Sequence, residues 1–234
     1  MNFYKFLSIY LKSFTNKKFF YSFGGIDNLI QQIFKSQKKG IYIDIGCGHP
    51  IKNNNTYLLN KKGWSGINID LDIDNVELFK IYRPKDLNIC AAISDEIKET
   101  DLFFYHSRSA LNTIDKKTAN YQKAKVTSVK KIKTTTLNNV LDESIYNSSN
   151  IDFLSIDVEG SELSVLKNFN FHKFKPKVIV VEYLDLSLNK LEIKNLSIQH
   201  AMNSEIYKLI ISKNYTLANM IHSDLVFIYN DFRD

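Results

Sequence analysis

Five acidic residues in this chain stand where apolar runs give out: Asp44, Asp70, Asp95, Asp157 and Glu182. A carboxylate in such a place does nothing for packing. In an open α/β sheet, however, ligands collect beyond the carboxyl ends of the strands, so acids recurring there mark one rim as a candidate site. The sharpest of these stretches is Asp44-Ile-Gly-Cys-Gly-His-Pro50. Ile41, Ile43 and Ile45 alternate with Tyr42 and Asp44 before Gly46 and Gly48 intervene, the pattern of a buried strand stopping in a turn open to close approach. A plain strand-to-helix turn with a capping acid would read similarly, because a short glycine motif is weak by itself.

The spacing suggests a nucleoside cofactor. Asp70 ends a second strand, where an acid accepts hydrogen bonds from both ribose hydroxyls, and Leu71 follows it. Ser94 and Asp95 end a third strand and are candidates for the base edge, or for a cap. Ile45, Gly46, Cys47, Gly48 and His49, with Asn55 and Thr56, complete the candidate cofactor surface; His49 fits either a contact to the cofactor's carboxylate or a helix cap. A dinucleotide site needs glycine where Ile51 stands, and no G-x-x-x-x-G-K-[ST] element for a nucleoside triphosphate occurs. Asp44, inside the first strand, sits badly beside pyrophosphate but suits an ammonium or sulfonium. The pattern therefore favours S-adenosylmethionine.

Transfer of a sulfonium methyl group asks for an aligned acceptor oxygen and a base for its proton. Asp157, Glu159, Glu182 and His106 are the candidate catalytic groups, and Asp157 is also a candidate cofactor contact. Glu159 equally fits a helix start, where the dipole favours an acid. His106 equally fits a polar loop. Asp157, Glu159 and Glu182 together open the alternative of Mg²⁺ binding a substrate diol.

The elements that must position these groups follow from periodicity. Ile26, Leu29, Ile30, Ile33 and Phe34 recur at helical spacing and stop at Lys38-Lys39-Gly40. Strands are expected at residues 41–45, 66–70 and 88–93, with helices between, hence parallel pairing through right-handed crossovers. Residues 95–136 break the alternation, with extended pieces at 101–106 and 126–136 around a loop, Ser107 to Thr113. His106, Arg108 and Asn112 are its candidate substrate contacts. Strand 151–157 then leads into a helix opened by residues 158–162, and Lys177 to Tyr183 is a strongly β-branched strand. Residues 184–198 form a second candidate substrate-binding insertion. A helix near 204–213 precedes a terminal hairpin joined by His222-Ser-Asp224.

The expected architecture is a Rossmann-like, doubly wound, mostly parallel sheet, residues 40–234, with an N-terminal helical extension over 1–39. With 234 residues, 3 prolines and 8 glycines, one globular domain is the natural reading. Two cysteines make no disulfide framework, so a reduced, cytoplasmic compartment fits. The net charge of +6 suits a small anionic acceptor. The lysines are scattered without an aromatic stripe, which argues against nucleic acid. Phe3, Tyr4, Phe6, Leu7, Ile9 and Tyr10 are interrupted by Lys5 and Lys12, so no membrane-spanning run is present there. A helix packed on the domain or on a second copy is expected, with shallow membrane contact as the alternative.

Asp44-Ile-Gly-Cys-Gly-His-Pro50, Asn55-Thr-Tyr-Leu-Leu59, Gly63-Trp-Ser-Gly-Ile-Asn-Ile-Asp70, Ala92-Ile-Ser-Asp95, Ala110-Leu-Asn-Thr113, Ile151-Asp-Phe-Leu-Ser-Ile-Asp-Val-Glu-Gly160 and Val180-Val-Glu182 resemble, in order, the FkbM family of S-adenosylmethionine-dependent methyltransferases. Ser155-Ile-Asp-Val-Glu-Gly-Ser-Glu162 is the most specific part. The resemblance implies a class I methyltransferase with a seven-stranded core. It also implies cofactor contacts at Asp44, Gly46, Gly48 and Asp70, and active-site positions for Asp157 and Glu159. Many members O-methylate sugars or related hydroxylated metabolites, which points to surface-glycan or secondary-metabolite biosynthesis. Tyr21 to Asp27 only loosely echoes the family's Ser-Gln-x-Gly-Glu-Asp segment, so no role is transferred there. A nucleic-acid methyltransferase and a non-catalytic cofactor-binding module are the alternatives.

Overall fold

The computed structural model describes residues 20–233. The helix expected around Phe3 to Lys12, and any oligomer contact made through it, lie outside the described residues. In chain order the elements are α1 (Ile26–Ile33), β1 (Ile41–Ile45), α2 (Tyr57–Lys61), β2 (Ser65–Asp70), α3 (Ile73–Tyr82), β3 (Leu87–Cys90), β4 (Ala92–Ser94) and β5 (Glu99–Phe104). There follow α4 (Lys116–Tyr121), β6 (Ser128–Thr136), α5 (Leu137–Glu143), β7 (Phe153–Ile156), α6 (Glu162–Lys167) and α7 (Phe171–Phe174). The chain closes with β8 (Val178–Glu182), α8 (Ile198–Met202), α9 (Glu205–Ile211), β9 (Tyr215–Ile221) and β10 (Asp224–Tyr229).

β1 pairs in parallel with β2 on one side and β7 on the other, which explains why its residues 42–45 are all buried. The seven-stranded sheet runs β3-β2-β1-β7-β8-β10-β9, parallel from β3 to β8 and finished by the antiparallel hairpin. This is the Rossmann-like, mostly parallel architecture expected. Alternate residues go to opposite faces. Ile43 and Ile45 join the core under α5, α6 and α9, whereas Tyr42 joins Trp64, Leu59 and the α1 residues Ile26 and Ile30 on the other side. Asp44 shares the face of Tyr42, and that parity decides where its carboxylate goes.

The third expected strand, 88–93, divides. β3 stays on β2 as far as Cys90, the Ala91 amide closes the ladder on the Asp70 carbonyl, and β4 leaves to pair with β6. A second, three-stranded sheet, β4-β6-β5, results. Its β5 and β6 are the extended pieces expected in the 95–136 insertion, here paired antiparallel. Four helices, α4, α5, α7 and α8, exceed expectation. α4 is capped by the Asp115 carboxylate, and α5 is capped by Thr136 and buries Leu137, Val140 and Leu141 at helical spacing. The helix expected to open at Val158 begins at Glu162 instead. Glu159 and Gly160 turn with φ of +56° and +100°, and the Glu162 carboxylate accepts from the amides of Val158 and Gly160. Among the described residues no helix is long and apolar enough to cross a membrane.

Candidate active site

A cavity of about 760 Å³ opens beyond the carboxyl ends of β2, β1, β7 and β8. This lies toward the upper end of the roughly 300–1,000 Å³ range of small-molecule sites. The loop carrying His106, Arg108 and Asn112 borders one side, and His222, Ser223 and Asp224 of the terminal hairpin border the other.

The glycine turn forms part of its wall. The Gly46 and Cys47 amides both donate to the Ile69 carbonyl, at 2.8 and 3.1 Å, which ties the turn to β2. Gly46 has φ of +75°, and a Cβ there would lie 1.6 Å from the Asp157 carbonyl oxygen. Only glycine lets this turn press against the end of β7 and bring Asp157 beside it. Ile45, Gly46, Cys47, Gly48, His49 and Asn55 all line the cavity, and Asn55 also donates to the Ser155 hydroxyl at 3.1 Å.

Asp70 and Leu71 line it too, but Asp70 is less free than expected. Its carboxylate already accepts from the Gly48 amide (2.9 Å), the Asp72 amide (2.8 Å) and the Asn75 side chain (3.1 Å). A carboxylate has about four acceptor sites, so room is left for one ribose hydroxyl rather than both. Burial lifts this carboxyl to about 6 against those same hydrogen bonds.

Four expected cofactor contacts do not border the cavity. Asp44, carried on the Tyr42 face, accepts from Asn54 Nδ2 at 3.0 Å and Thr56 Oγ1 at 2.8 Å. Thr56 is fully buried and receives Arg83 Nη1 at 2.7 Å, while Arg83 Nη2 reaches Asn54 Oδ1 at 2.7 Å and the Pro50 carbonyl. Asp44 and Thr56 therefore brace the 47–56 loop from behind. Burial pushes the Asp44 carboxyl up, and the Arg83 charge opposes that. Ser94 and Asp95 are drawn off with β4: the Ser94 hydroxyl donates to Asp95, which also pairs with Lys98 at 3.3 Å. Ala92 and Ile93 stand at the cavity in their place. Residues 184–198 do not line it either; the Leu188 carbonyl accepts from Tyr121 and holds that segment against α4.

The other end of the cavity is a floor of acids. Asp157, Glu159 and Glu182 each bring one oxygen within 4.8 Å of the others. Glu159 owes its place to the left-handed φ of +56°, an uncommon geometry for a non-glycine residue, and its carbonyl accepts from Thr113 at 2.7 Å. Burial pushes the Glu159 carboxyl up to about 9, with Asp157 and Glu162 adding to it. Burial, then the neighbouring acids, pushes Glu182 well above the carboxylate range, and its Oε2 is buried without a partner. Asp157 is lifted to about 6 by burial, moderated by the neighbouring Glu182 carboxyl. Its side chain is open to the cavity, so water tempers that burial. With carboxyl oxygens this close, protonation of one acid changes the others, so the three titrate as a set. Three such oxygens are also what a divalent cation takes, and a shared proton is the alternative way of neutralising them.

Sequence reasoning missed Asp224, His222, Ser223, Lys52 and Phe23 at this cavity. Asp224 stands opposite Glu182 in the β10–β8 register and is raised to about 8, first by burial and then by Asp157 and Glu162. Ser223 donates to Glu182 Oε1 at 3.3 Å. The hairpin was legible, but only antiparallel pairing of β10 with β8 brings its turn to this rim. His106 lines the cavity from the opposite loop, with Nδ1 on the Ser107 carbonyl at 2.9 Å and Ser107 bonded to Asp74.

A parallel sheet with a glycine turn, an acid at the second strand tip and a cavity along the same rim defines a nucleoside-cofactor enzyme of Rossmann-like build. The model of the methyltransferase FkbM domain matches residues 44–217, and the chain belongs to this family of S-adenosylmethionine-dependent methyltransferases. Among solved structures, it is similar to a TehB-like SAM-dependent methyltransferase from Corynebacterium glutamicum ATCC 13032 Kitasato, with a TM-score of 0.44, 11% identity and 96% of each chain covered. It is also similar to monomeric WbdD, with a TM-score of 0.43 and 10% identity over 88% of this chain and 40% of that one. No curated protein matches the chain.

Proposed function

We propose that this methyltransferase passes the methyl group of S-adenosylmethionine to a hydroxyl of a sugar, a nucleotide-linked sugar or a phosphorylated small metabolite. The observation that carries this reading is the cavity itself, which joins the Gly46–Gly48 turn and Asp70 to the floor of Asp157, Glu159 and Glu182. Leu71, Ala92 and Ile93 offer an apolar bed for an adenine ring, and the remaining acceptor site of Asp70 takes one ribose hydroxyl. The open face of Gly48, where a Cβ would meet nothing nearer than 4.0 Å, leaves the turn free for a ligand to approach.

The cofactor, when bound, supplies a methyl group made electrophilic by its sulfonium. The chain has to hold the acceptor oxygen in line and take up its proton. Asp157 is the base of this reading, because it is the most readily ionised of the floor acids and faces the cavity. Glu159, raised to about 9, retains its proton near neutral pH and so donates a hydrogen bond that orients a neighbouring hydroxyl, and Glu182, pushed up by burial and the adjacent acids, stands beside it. No step in this reading needs a metal ion. His106 faces the acceptor from the opposite loop, whereas the expected contact Asn112 is buried and holds that loop instead, its amide taken up by the Tyr105 N–H, the His106 carbonyl and the Asp72 carboxylate.

A panel of sugars, sugar phosphates and nucleotide sugars incubated with methyl-labelled cofactor tests the proposal. The expected result is label in a hydroxyl-bearing acceptor, lost in Asp157→Asn while the demethylated cofactor still binds. Label appearing only in nucleic acid, or cofactor binding abolished along with turnover in that variant, would refute it.

A further inference from the structure

The cavity is electrically two-ended. Opposite the acid floor, its mouth carries His49, Lys52 and Arg108. His49 Nδ1 accepts from the amides of Ile51 and Lys52, both at 3.1 Å, so a neutral ring carries its proton on Nε2 and can only donate from that side. Burial lowers the His49 pKa, and Arg108, Lys52 and Arg83 lower it further, which keeps the ring neutral near pH 7. Arg108 adopts a left-handed φ of +59°, and its backbone amide is held by the Asp72 carboxylate at 2.6 Å. Among the described residues, no acid lies within ion-pair distance of the Lys52 ammonium or the Arg108 guanidinium. The His49 Nε2–H, the Lys52 ammonium and the Arg108 guanidinium are all donors, and neither cation has an acid among the described residues within ion-pair reach.

Resting on the function proposed above, we infer that His49, Lys52 and Arg108 form an oxyanion subsite for a phosphate of the acceptor, whose hydroxyl then faces Asp157 and Glu182. Two full positive charges and a neutral N–H match a phosphate better than a single carboxylate, and guanidinium is the natural partner for phosphate oxygens. The span also fits. His49 follows β1, Asp157 follows β7 and Glu182 ends β8, and these are adjacent strands in the sheet. At about 4.8 Å per strand, the two ends stand on the order of 5–10 Å apart, the length of a sugar phosphate from phosphorus to a distal hydroxyl. The cofactor's own α-carboxylate is the competing source of an oxyanion.

Calorimetry on the full chain separates the two. The wild type is titrated first with S-adenosylhomocysteine and, once saturated, with glucose 1-phosphate, with uridine diphosphate and with methyl glucoside. Binding of at least one phosphorylated probe, at least tenfold tighter than methyl glucoside and weakening with salt, is expected. Arg108→Glu should abolish that binding and Lys52→Ala should weaken it several-fold, with the affinity for S-adenosylhomocysteine unchanged. Both side chains are exposed, so the fold should tolerate either change. Phosphorylated probes binding no better than methyl glucoside would overturn the inference. So would variants that lose S-adenosylhomocysteine instead, which would give the donors to the cofactor's carboxylate. A wild type that fails to bind S-adenosylhomocysteine at all would bring down the underlying function, a result visible in the first titration.

Discussion

Two groups of acids, one buried and one lining the cavity, lie a strand or two apart on this sheet and are treated in opposite ways. Asp44 is held by neutral donors with a cation behind them: Asn54 and Thr56 both donate to its Oδ2, and Arg83 braces both of those partners. Asp157, Glu159, Glu182 and Asp224 face one another without a cation among them, and all are pushed up in pKa. Buried charge that is paired and hydrogen-bonded holds a structure together. Acids crowded together without a cation cost stability and persist where chemistry needs them. The first group shapes the glycine turn, and the second gives the cavity its reactivity.

The largest effect that could break this contrast is catalytic. Asp157→Asn should lower kcat by roughly 100-fold or more, the usual contribution of a general base, with little change in the dissociation constant of S-adenosylhomocysteine. Single-turnover methyl transfer and calorimetry on the same preparation would show it. Arg83→Met should act the other way, on stability. Stripping the brace from a buried carboxylate should cost about 3 kcal/mol, read as a lower denaturant midpoint with an unchanged slope. If Arg83→Met spares stability while Asp157→Asn unfolds the chain, the two regions have been assigned the wrong way round.

A pH series sharpens the comparison. Glu159 moves from an unperturbed 4.5 up to about 9, and Asp224 from 3.8 up to about 8. The folded state thus binds more protons than the unfolded one between those limits, so their contribution is intact below about pH 4 and lost as pH rises toward 9. Glu159→Gln combined with Asp224→Asn should flatten that decline, measured as the difference in melting temperature from wild type at each pH. The smallest expected effect is on the rate profile. With Asp157 lifted to about 6, kcat should fall as pH drops below that value, and Glu182→Gln should displace the inflection because the two carboxyls lie within 4.8 Å of each other.

Much of this was legible in advance. The alternation in β1, the glycines that end it and the β-branched run of β8 each carry their own local signal, and the parallel architecture follows from their spacing. Gly46, Gly48, Asp70, Asp157, Glu159 and Glu182 reach the cavity as their motifs implied. Asp44 and Thr56 illustrate the limit. The parity of a strand says which residues share a face, but not that the face shared by Tyr42 and Asp44 would be closed by α2 and Arg83. Ser94 and Asp95 failed for a related reason, because nothing in residues 88–93 announces that β4 will leave β2 for β6.

By itself, then, the amino-acid sequence determined the main strands and the helices between them, the glycine turn and the acids at the strand tips, since each depends on residues close along the chain. Only the tertiary structure decided which acids stand together. Asp224 meets Glu182 through an antiparallel register between segments more than forty residues apart, and the cations at the mouth gather from two separate loops. Charge acts through space, and the distances that set a carboxyl's proton affinity exist only once the sheet has closed.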